Sequence, residues 1–274
     1  MLGELKRRKL RRIGIERNRL SYAAFERLRA AKRIAVPASD LVEELRAVKS
    51  PEEIDKIRRS AALNSEVFDA VTAKVTSRWT EERLASELEY EMRKRGAEGA
   101  SFPSIVASGA HGALPHAQPR PVRIEPNSLV VMDHGAILDG YASDMTRMIS
   151  LGAPPLEQRR LVDAVRQAQR AAIERVRAGV ACSVVDEAAR NVLKAKGLDQ
   201  YFVHSTGHGV GLEIHEGPRI ARGVRSRLKA GMTITIEPGV YVEGVGGVRI
   251  EDLVVVEADG CRSLTPTSRR LRVL

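Results

Sequence analysis

Apolar positions along this chain fall into two rounds of one pattern, a pair of helix-spaced stretches followed by short β-like runs. The first round opens at Ser50-Pro51-Glu52-Glu53, where Ser50 can cap, Pro51 suits the first helical turn and the acids face the positive end of the dipole. Ile54, Ile57, Ala61, Phe68 and Val71 then keep helical spacing. A second helix is expected from Thr80-Glu81-Glu82 to about Lys94, ending before Gly96. Strand-like segments follow at Phe102–Ala107, Leu129–Leu138 and Tyr141–Ser150. The second round has a helix from about Leu156 to Arg177, with Leu161, Val165, Ala168 and Ala172 on one face. Its companion is expected to be capped by Ser183 and to end before Gly197, and strands return at Met232–Glu237, Val240–Glu243 and Val248–Val256. The order predicts a pseudo-symmetric α+β domain whose site would draw residues from both halves.

Before residue 47 the pattern differs. A basic amphipathic stretch precedes a short apolar piece, Arg12 to Glu16, and a helical pattern around Tyr22 to Leu28. The net charge of +10 is concentrated there, because residues 1–33 carry twelve Lys or Arg against three acids, which leaves +1 for the rest. Without interleaved aromatics or a binding motif, that run reads as a solvated helix face or a surface that meets another domain, and no nucleic-acid partner is expected. Hydrophobic residues make up 43% of the 274 positions and charged residues 29%, enough to bury a core. Cys182 and Cys261 are far apart, with no CxxC spacing, which argues against a thiolate metal site or a disulfide scaffold. No apolar run approaches the ~20 residues of a bilayer span and no signal-peptide core is evident, so the expected setting is the cytoplasm, with no membrane partner.

Candidate chemistry starts in the segment Val131 to Arg147. Asp139-Gly140 is a favoured two-residue hairpin turn. If it closes the hairpin, position 138 faces 141, 133 faces 146 and 135 faces 144. Alternation then puts Asp133 and Asp144 on one face as diagonal neighbours. Two acids among apolar residues repel each other and call for a cation, unless one lies solvated at a strand end. In the later segment Thr233 to Pro238, alternation turns Glu237 away from the face of Ile234 and Ile236, and Pro238 interrupts the strand. Arg249 and Glu251 share a face in Gly247-Val-Arg-Ile-Glu-Asp252. One such acid would be an ordinary surface residue. Four, two from each matching hairpin, suit paired divalent cations. Between the hairpins, Gly207, Gly209 and Gly211 surround His208, and His204, His208 and His215 are three of only six histidines. His215-Glu216 does not form an HExxH motif, which excludes a single-zinc protease helix.

These residues together resemble the pita-bread metallopeptidases, specifically their Xaa-Pro aminopeptidase and prolidase branch. The resemblance covers about residues 40 to 274 and rests on DxG(A)…GYxSDxTR, HxTGHGxGLExHE, TIEPG and GGVRIED, which stand here in order. Phe102-Pro-Ser-Ile-Val-Ala-Ser-Gly109 and Leu114-Pro-His116 match this branch better than methionine aminopeptidases. The resemblance implies a pita-bread fold with a pseudo-two-fold repeat around a dinuclear metal site. It implies that Asp133 holds one metal, that Asp144 and Glu251 bridge both, and that His208 and Glu237 complete the second. His116 and His215 would stabilise the scissile carbonyl or the departing proline nitrogen, while His204 and Arg249 would line the substrate end. The implied reaction is metal-assisted hydrolysis of an Xaa-Pro bond in a proline-containing peptide, with Glu237 moving the proton. Two divalent ions are expected, manganese or cobalt first, with zinc or iron compatible. A homodimer is the expected assembly.

Two features depart from the family pattern. His134 follows Asp133 where an apolar residue is usual, and alternation turns it away from the metals, so it is read as structural, as is His111. Residues 1–47 match only the last portion of the N-terminal domain that such proteins carry, and 48–274 is expected to be the catalytic domain. The rival readings are a methionine aminopeptidase, a creatinase-like hydrolase that lacks the full metal set, and a binding module without catalysis.

Overall fold

A computed structural model describes residues 2–16, 19–38 and 40–274. Its internal contacts divide it into Met1–Arg46 and Ala47–Leu274. The first unit holds α1 (Leu2–Arg7), β1 (Arg12–Ile15), α2 (Tyr22–Ala30), β2 (Ile34–Pro37) and most of α3 (Leu41–Ala47). β1 and β2 pair in parallel, and the Ser21 side chain caps α2 by accepting from the Ala24 N–H.

In the second unit the cap expected at Ser50 is present and is a full capping box. Its side chain accepts from the Glu53 N–H while the Glu53 carboxylate accepts from the Ser50 N–H, starting α4 (Pro51–Thr72). α5 (Glu81–Lys94) follows, capped by Thr80. Next come β3 (Gly99–Ala100), β4 (Ile105–Ser108), β5 (Leu129–His134), β6 (Ala136–Leu138), β7 (Tyr141–Ala142) and β8 (Met145–Ser150). Pro103 delays the strand expected from Phe102, because it has no N–H for a ladder bond. The second round supplies α6 (Leu156–Ile173) and α7 (Cys182–Lys194). Its strands are β9 (Gly207–Gly209), β10 (Glu216–Ile220), β11 (Thr233–Ile236), β12 (Gly239–Val242), β13 (Gly246–Arg249) and β14 (Asp252–Val256), with β15 (Cys261–Ser263) and β16 (Arg272–Val273) at the end. Two expected helix limits are corrected. α6 stops at Ile173 rather than near Arg177, and α7 begins before Ser183 with no side-chain cap. The chain at 224–226 does the capping, since the N–H groups of Cys182 and Ser183 donate to the carbonyls of Ser226 and Val224. Among the described residues no helix is long and apolar enough to cross a membrane.

Each helix pair covers its own sheet. β16-β8-β5-β4 form a four-stranded sheet beneath α4 and α5, and β10-β9-β11-β14-β15 a five-stranded one beneath α6 and α7. Strand β5 lies between the two cores, which explains its unbroken apolar run. Val130 and Met132 pack with Phe68 and Leu88 on one side, while Leu129 and Val131 join Ile234 and Val254 on the other. By the same alternation Asp133 faces the second half of the domain and His134 faces the first.

Candidate metal centre

The first hairpin has the register read from its turn. Leu138 pairs with Tyr141 and Asp133 with Thr146. The hairpin divides midway into two sheets at Gly135, where an added Cβ would meet the Ser143 carbonyl oxygen at 2.0 Å. Asp144 sits at that division, between β7 and β8. The second hairpin divides in the same manner. Gly239 pairs with Arg249 and Ile236 with Asp252, so one register runs through both ladders and sets Glu237 opposite Glu251 at the gap. Pro238 accounts for the gap by removing a donor. The freed backbone groups bond elsewhere: Glu237 N–H donates to the Thr206 carbonyl at 2.8 Å and Glu251 N–H to the Thr146 carbonyl at 3.2 Å. The second bond ties the two hairpins together across the domain.

His208 reaches the same place from β9. Its N–H donates to Thr235 Oγ1 at 3.1 Å, and Nδ1 donates to the Gly209 carbonyl at 3.0 Å, which leaves Nε2 as a lone-pair donor. The flanking glycines permit this approach, because a Cβ at Gly207 would stand 1.9 Å from the Thr235 carbonyl oxygen and one at Gly209 would stand 2.2 Å from that of Gly217. His208 Nε2 lies 3.6 Å from Asp144 Oδ2 and 3.4 Å from Glu237 Oε1. Ligand atoms of Asp144, His208 and Glu251 all fall within 4.8 Å of one another.

A cavity of about 590 Å³ opens over this cluster, and all nine residues singled out from the sequence line it: Asp133, Asp144, His208, Glu237 and Glu251 with His116, His204, His215 and Arg249. Phe102, Pro103 and Ile105 form an apolar wall. Burial raises Asp144 and Glu251 well above the ordinary carboxylate range, reinforced by the neighbouring acids, and pushes Glu237 up to about 7. Burial holds His208 and His215 below the usual imidazole value and His204 down to about 4. Among these four carboxylates stands the buried guanidinium of Arg249, which donates from Nη2 to Asp133 Oδ2 at 2.5 Å. Asp133 Oδ1, Asp144 Oδ1 and Glu251 Oε1 are buried without a hydrogen-bond partner. Unpaired acceptors of this kind are costly unless a cation satisfies them, and hard oxygens plus one imidazole are a donor set for divalent metals. The residues fit a divalent metal.

Three supporting residues were not singled out from the sequence. Thr146 donates from Oγ1 to Glu251 Oε2 at 2.7 Å and accepts from Arg249 Nε at 3.1 Å. Its signal was present in the register, which sets it opposite Asp133. Thr235 donates from Oγ1 to Glu237 Oε1 at 3.2 Å. Tyr241 accepts from Arg249 Nη1 and shares a 2.9 Å hydrogen bond with His204 Nε2. Since His204 Nδ1 donates to the Ser205 carbonyl, Nε2 is the acceptor and the phenol gives its proton to it. Arg249 Nη1 also donates to the Pro115 carbonyl at 3.1 Å, anchoring the residue beside His116. The two histidines read as structural lie elsewhere. His134 is buried against Phe68 with Nδ1 2.6 Å from Asn64 Oδ1, and His111 meets the buried Glu81 at 3.0 Å.

The chain is 41% identical over 261 residues to a Xaa-Pro dipeptidase of Pyrococcus furiosus, covering 94% of this chain and 75% of that protein. An X-Pro aminopeptidase structure from Thermotoga maritima superposes with a TM-score of 0.93 at 37% identity, covering all of this chain and 78% of that one. A Xaa-Pro dipeptidase from Bacillus anthracis gives 0.97 at 36%, with 100% and 77% covered. These likenesses share the α+β pita-bread architecture described above. The sequence profile of metallopeptidase family M24 matches residues 55–258, and the chain belongs to that family.

Proposed function

We propose that this chain is a metal-dependent peptidase that cleaves the bond between a residue and a following proline in short peptides. The observation that carries the reading is the set of buried, unpartnered oxygens on Asp133, Asp144 and Glu251, which face one cavity beside the free Nε2 of His208. Asp133, Asp144, His208, Glu237 and Glu251 would hold two divalent cations, which when bound supply Lewis acidity toward water and the scissile carbonyl. Mn²⁺ or Co²⁺ suits four carboxylates and one imidazole, and Zn²⁺ or Fe²⁺ is compatible. The named relatives act on Xaa-Pro bonds, which supports the substrate class.

The remaining steps belong to the side chains. Glu237, oriented by Thr235, takes the proton of the attacking water and returns it to the leaving nitrogen. His215, whose ring packs edge-on to His208 with centroids 4.4 Å apart, is held below the usual imidazole value and can donate to the oxygen on which charge develops. His116, which lines the same cavity, serves the same reacting bond. The Ser205 carbonyl and the Tyr241 phenol, itself held by Arg249, fix the tautomer of His204, so that it meets the substrate as a rigid surface. A bond to proline has no N–H, so recognition falls to shape along Phe102, Pro103 and Ile105 and to imidazole contacts. A cytoplasmic setting goes with this reading and is supported by the free thiols of Cys182 and Cys261.

The test is hydrolysis of Ala-Pro and Ala-Pro-Ala by the Mn²⁺-loaded protein beside a chelated control. Chelator-sensitive release of alanine is the expected result. A preference for Met-Ala would move the protein to the methionine aminopeptidases, and no cleavage of any of them would overturn the peptidase reading.

A further inference from the structure

A second cavity, of about 510 Å³, adjoins the first along His204, Ser205 and Arg219, which line both. Phe202 and Ala221 give it a buried apolar floor. Three guanidinium groups reach it, in two different states. Arg190 is fully committed, with Nε on Asp186 Oδ2 at 2.7 Å and its terminal nitrogens on the carbonyls of Phe202 at 3.0 Å and His204 at 2.7 Å. Arg219 and Arg222 are exposed, and among the described residues neither has an ion-pair partner. One carboxylate, Asp199, faces these two free cations, so the cavity carries a positive excess.

Charge also sets a direction. The acids of the metal site lie in the first cavity, and Arg219 stands where the two cavities meet. A free peptide is positive at its amino end and negative at its carboxyl end, so its carboxyl end is drawn toward the arginine side. Chain that continues beyond the cleaved bond is thereby directed to the second cavity. We propose that this cavity is a subsite for the residues that follow the proline in substrates longer than a dipeptide, and that Arg222 selects an acidic group there. The inference rests on the Xaa-Pro reading and adds to it the length and charge of the preferred peptide.

The experiment compares Ala-Pro-Gly-Asp, Ala-Pro-Gly-Ala and Ala-Pro as substrates of the Mn²⁺-loaded protein at low salt. The acidic tetrapeptide is expected to exceed the neutral one about five-fold in kcat/KM, the worth of roughly one exposed ion pair. That margin should close near about 0.5 M salt, as screening requires. Arg222→Glu should abolish the preference and leave Ala-Pro cleavage unchanged. Equal rates for the two tetrapeptides, or a preference that survives in Arg222→Glu, overturn the subsite. The peptidase reading fails separately, by the absence of cleavage of all three. In that event titration calorimetry of the two tetrapeptides decides the subsite: tighter binding of the acidic one, lost in Arg222→Glu, supports it, and equal binding overturns it.

Discussion

Glu237 and Glu251 stand opposite each other on one hairpin, at the position where the ladder between its strands is interrupted. Their backbone N–H groups leave the hairpin for Thr206 and Thr146, so each carboxylate is held by a bond to a different part of the domain. Without a cation the two acids and Asp133 and Asp144 oppose one another, and that conflict sets the first expectation. Glu237→Gln in the loaded protein should lower turnover by at least about a thousand-fold, through loss of the proton carrier and of a ligand. In the chelated protein the same change should raise the melting temperature near about pH 8, because it removes a buried like charge. Paired melting curves and Ala-Pro assays check both, and near-native turnover would exclude Glu237 from the mechanism.

The pH dependence of the metal-free protein follows from the raised acids. Asp144, Glu251 and Glu237, the last at about 7, keep their protons in the folded chain at pH values where the unfolded chain has released them. The folded state then binds more protons, so their contribution is full below about pH 4 and is lost as the pH climbs through the raised values. Calorimetric melts of the chelated protein should show stability falling between about pH 5.5 and 8, with a smaller fall in Glu237→Gln. Metal binding should release protons, measured as a dependence of the binding enthalpy on the buffer.

Thr146→Val is nearly isosteric and removes the hydroxyl that connects Glu251 Oε2 to Arg249 Nε. Metal affinity should fall about 10-fold to 100-fold with little change in the far-UV spectrum, as when a ligand loses its supporting hydrogen bond. A metal titration by calorimetry reads this directly, and unchanged affinity would make Thr146 a packing residue only.

Tyr241→Phe tests the far side of the site. Loss of the phenol frees His204 Nε2 and one contact of Arg249 without touching a proposed ligand. Metal stoichiometry should hold while kcat/KM drops about ten-fold, the worth of one well-placed hydrogen bond to a charged network.

Gly207→Ala should be severe. The new methyl group would stand 1.9 Å from the backbone carbonyl oxygen of Thr235, so β9 must move away from β11 and carry His208 with it. A loss of about 3 kcal/mol in denaturant unfolding is expected, together with failed metal loading. Ser205→Ala, in the same segment but with no such contact, serves as the control.

Local chemistry determined a large part of this protein at the level of sequence. Ser50, Pro51 and Glu53 specify a helix start through bonds within four residues, and Asp139-Gly140 specifies a turn whose two-residue periodicity brings Asp133 and Thr146 face to face. Alternation alone distinguishes Asp133 from His134, since successive side chains on a strand must point to opposite faces. Where local rules misplaced an element, a distant segment had intervened. Ser183 is a good cap by composition, yet the carbonyls at 224 and 226 satisfy the helix start before it. The joining of the two halves was also decided by tertiary structure. Thr146 and Glu251, more than a hundred positions apart, are hydrogen-bonded through both backbone and side chain, and Tyr241 gains its meaning only when Arg249 and His204 converge on it. Sequence periodicity fixes which face of an element a residue occupies, because that depends on backbone geometry. Which faces meet depends on how two separate cores pack against β5, and that is a property of the assembled domain.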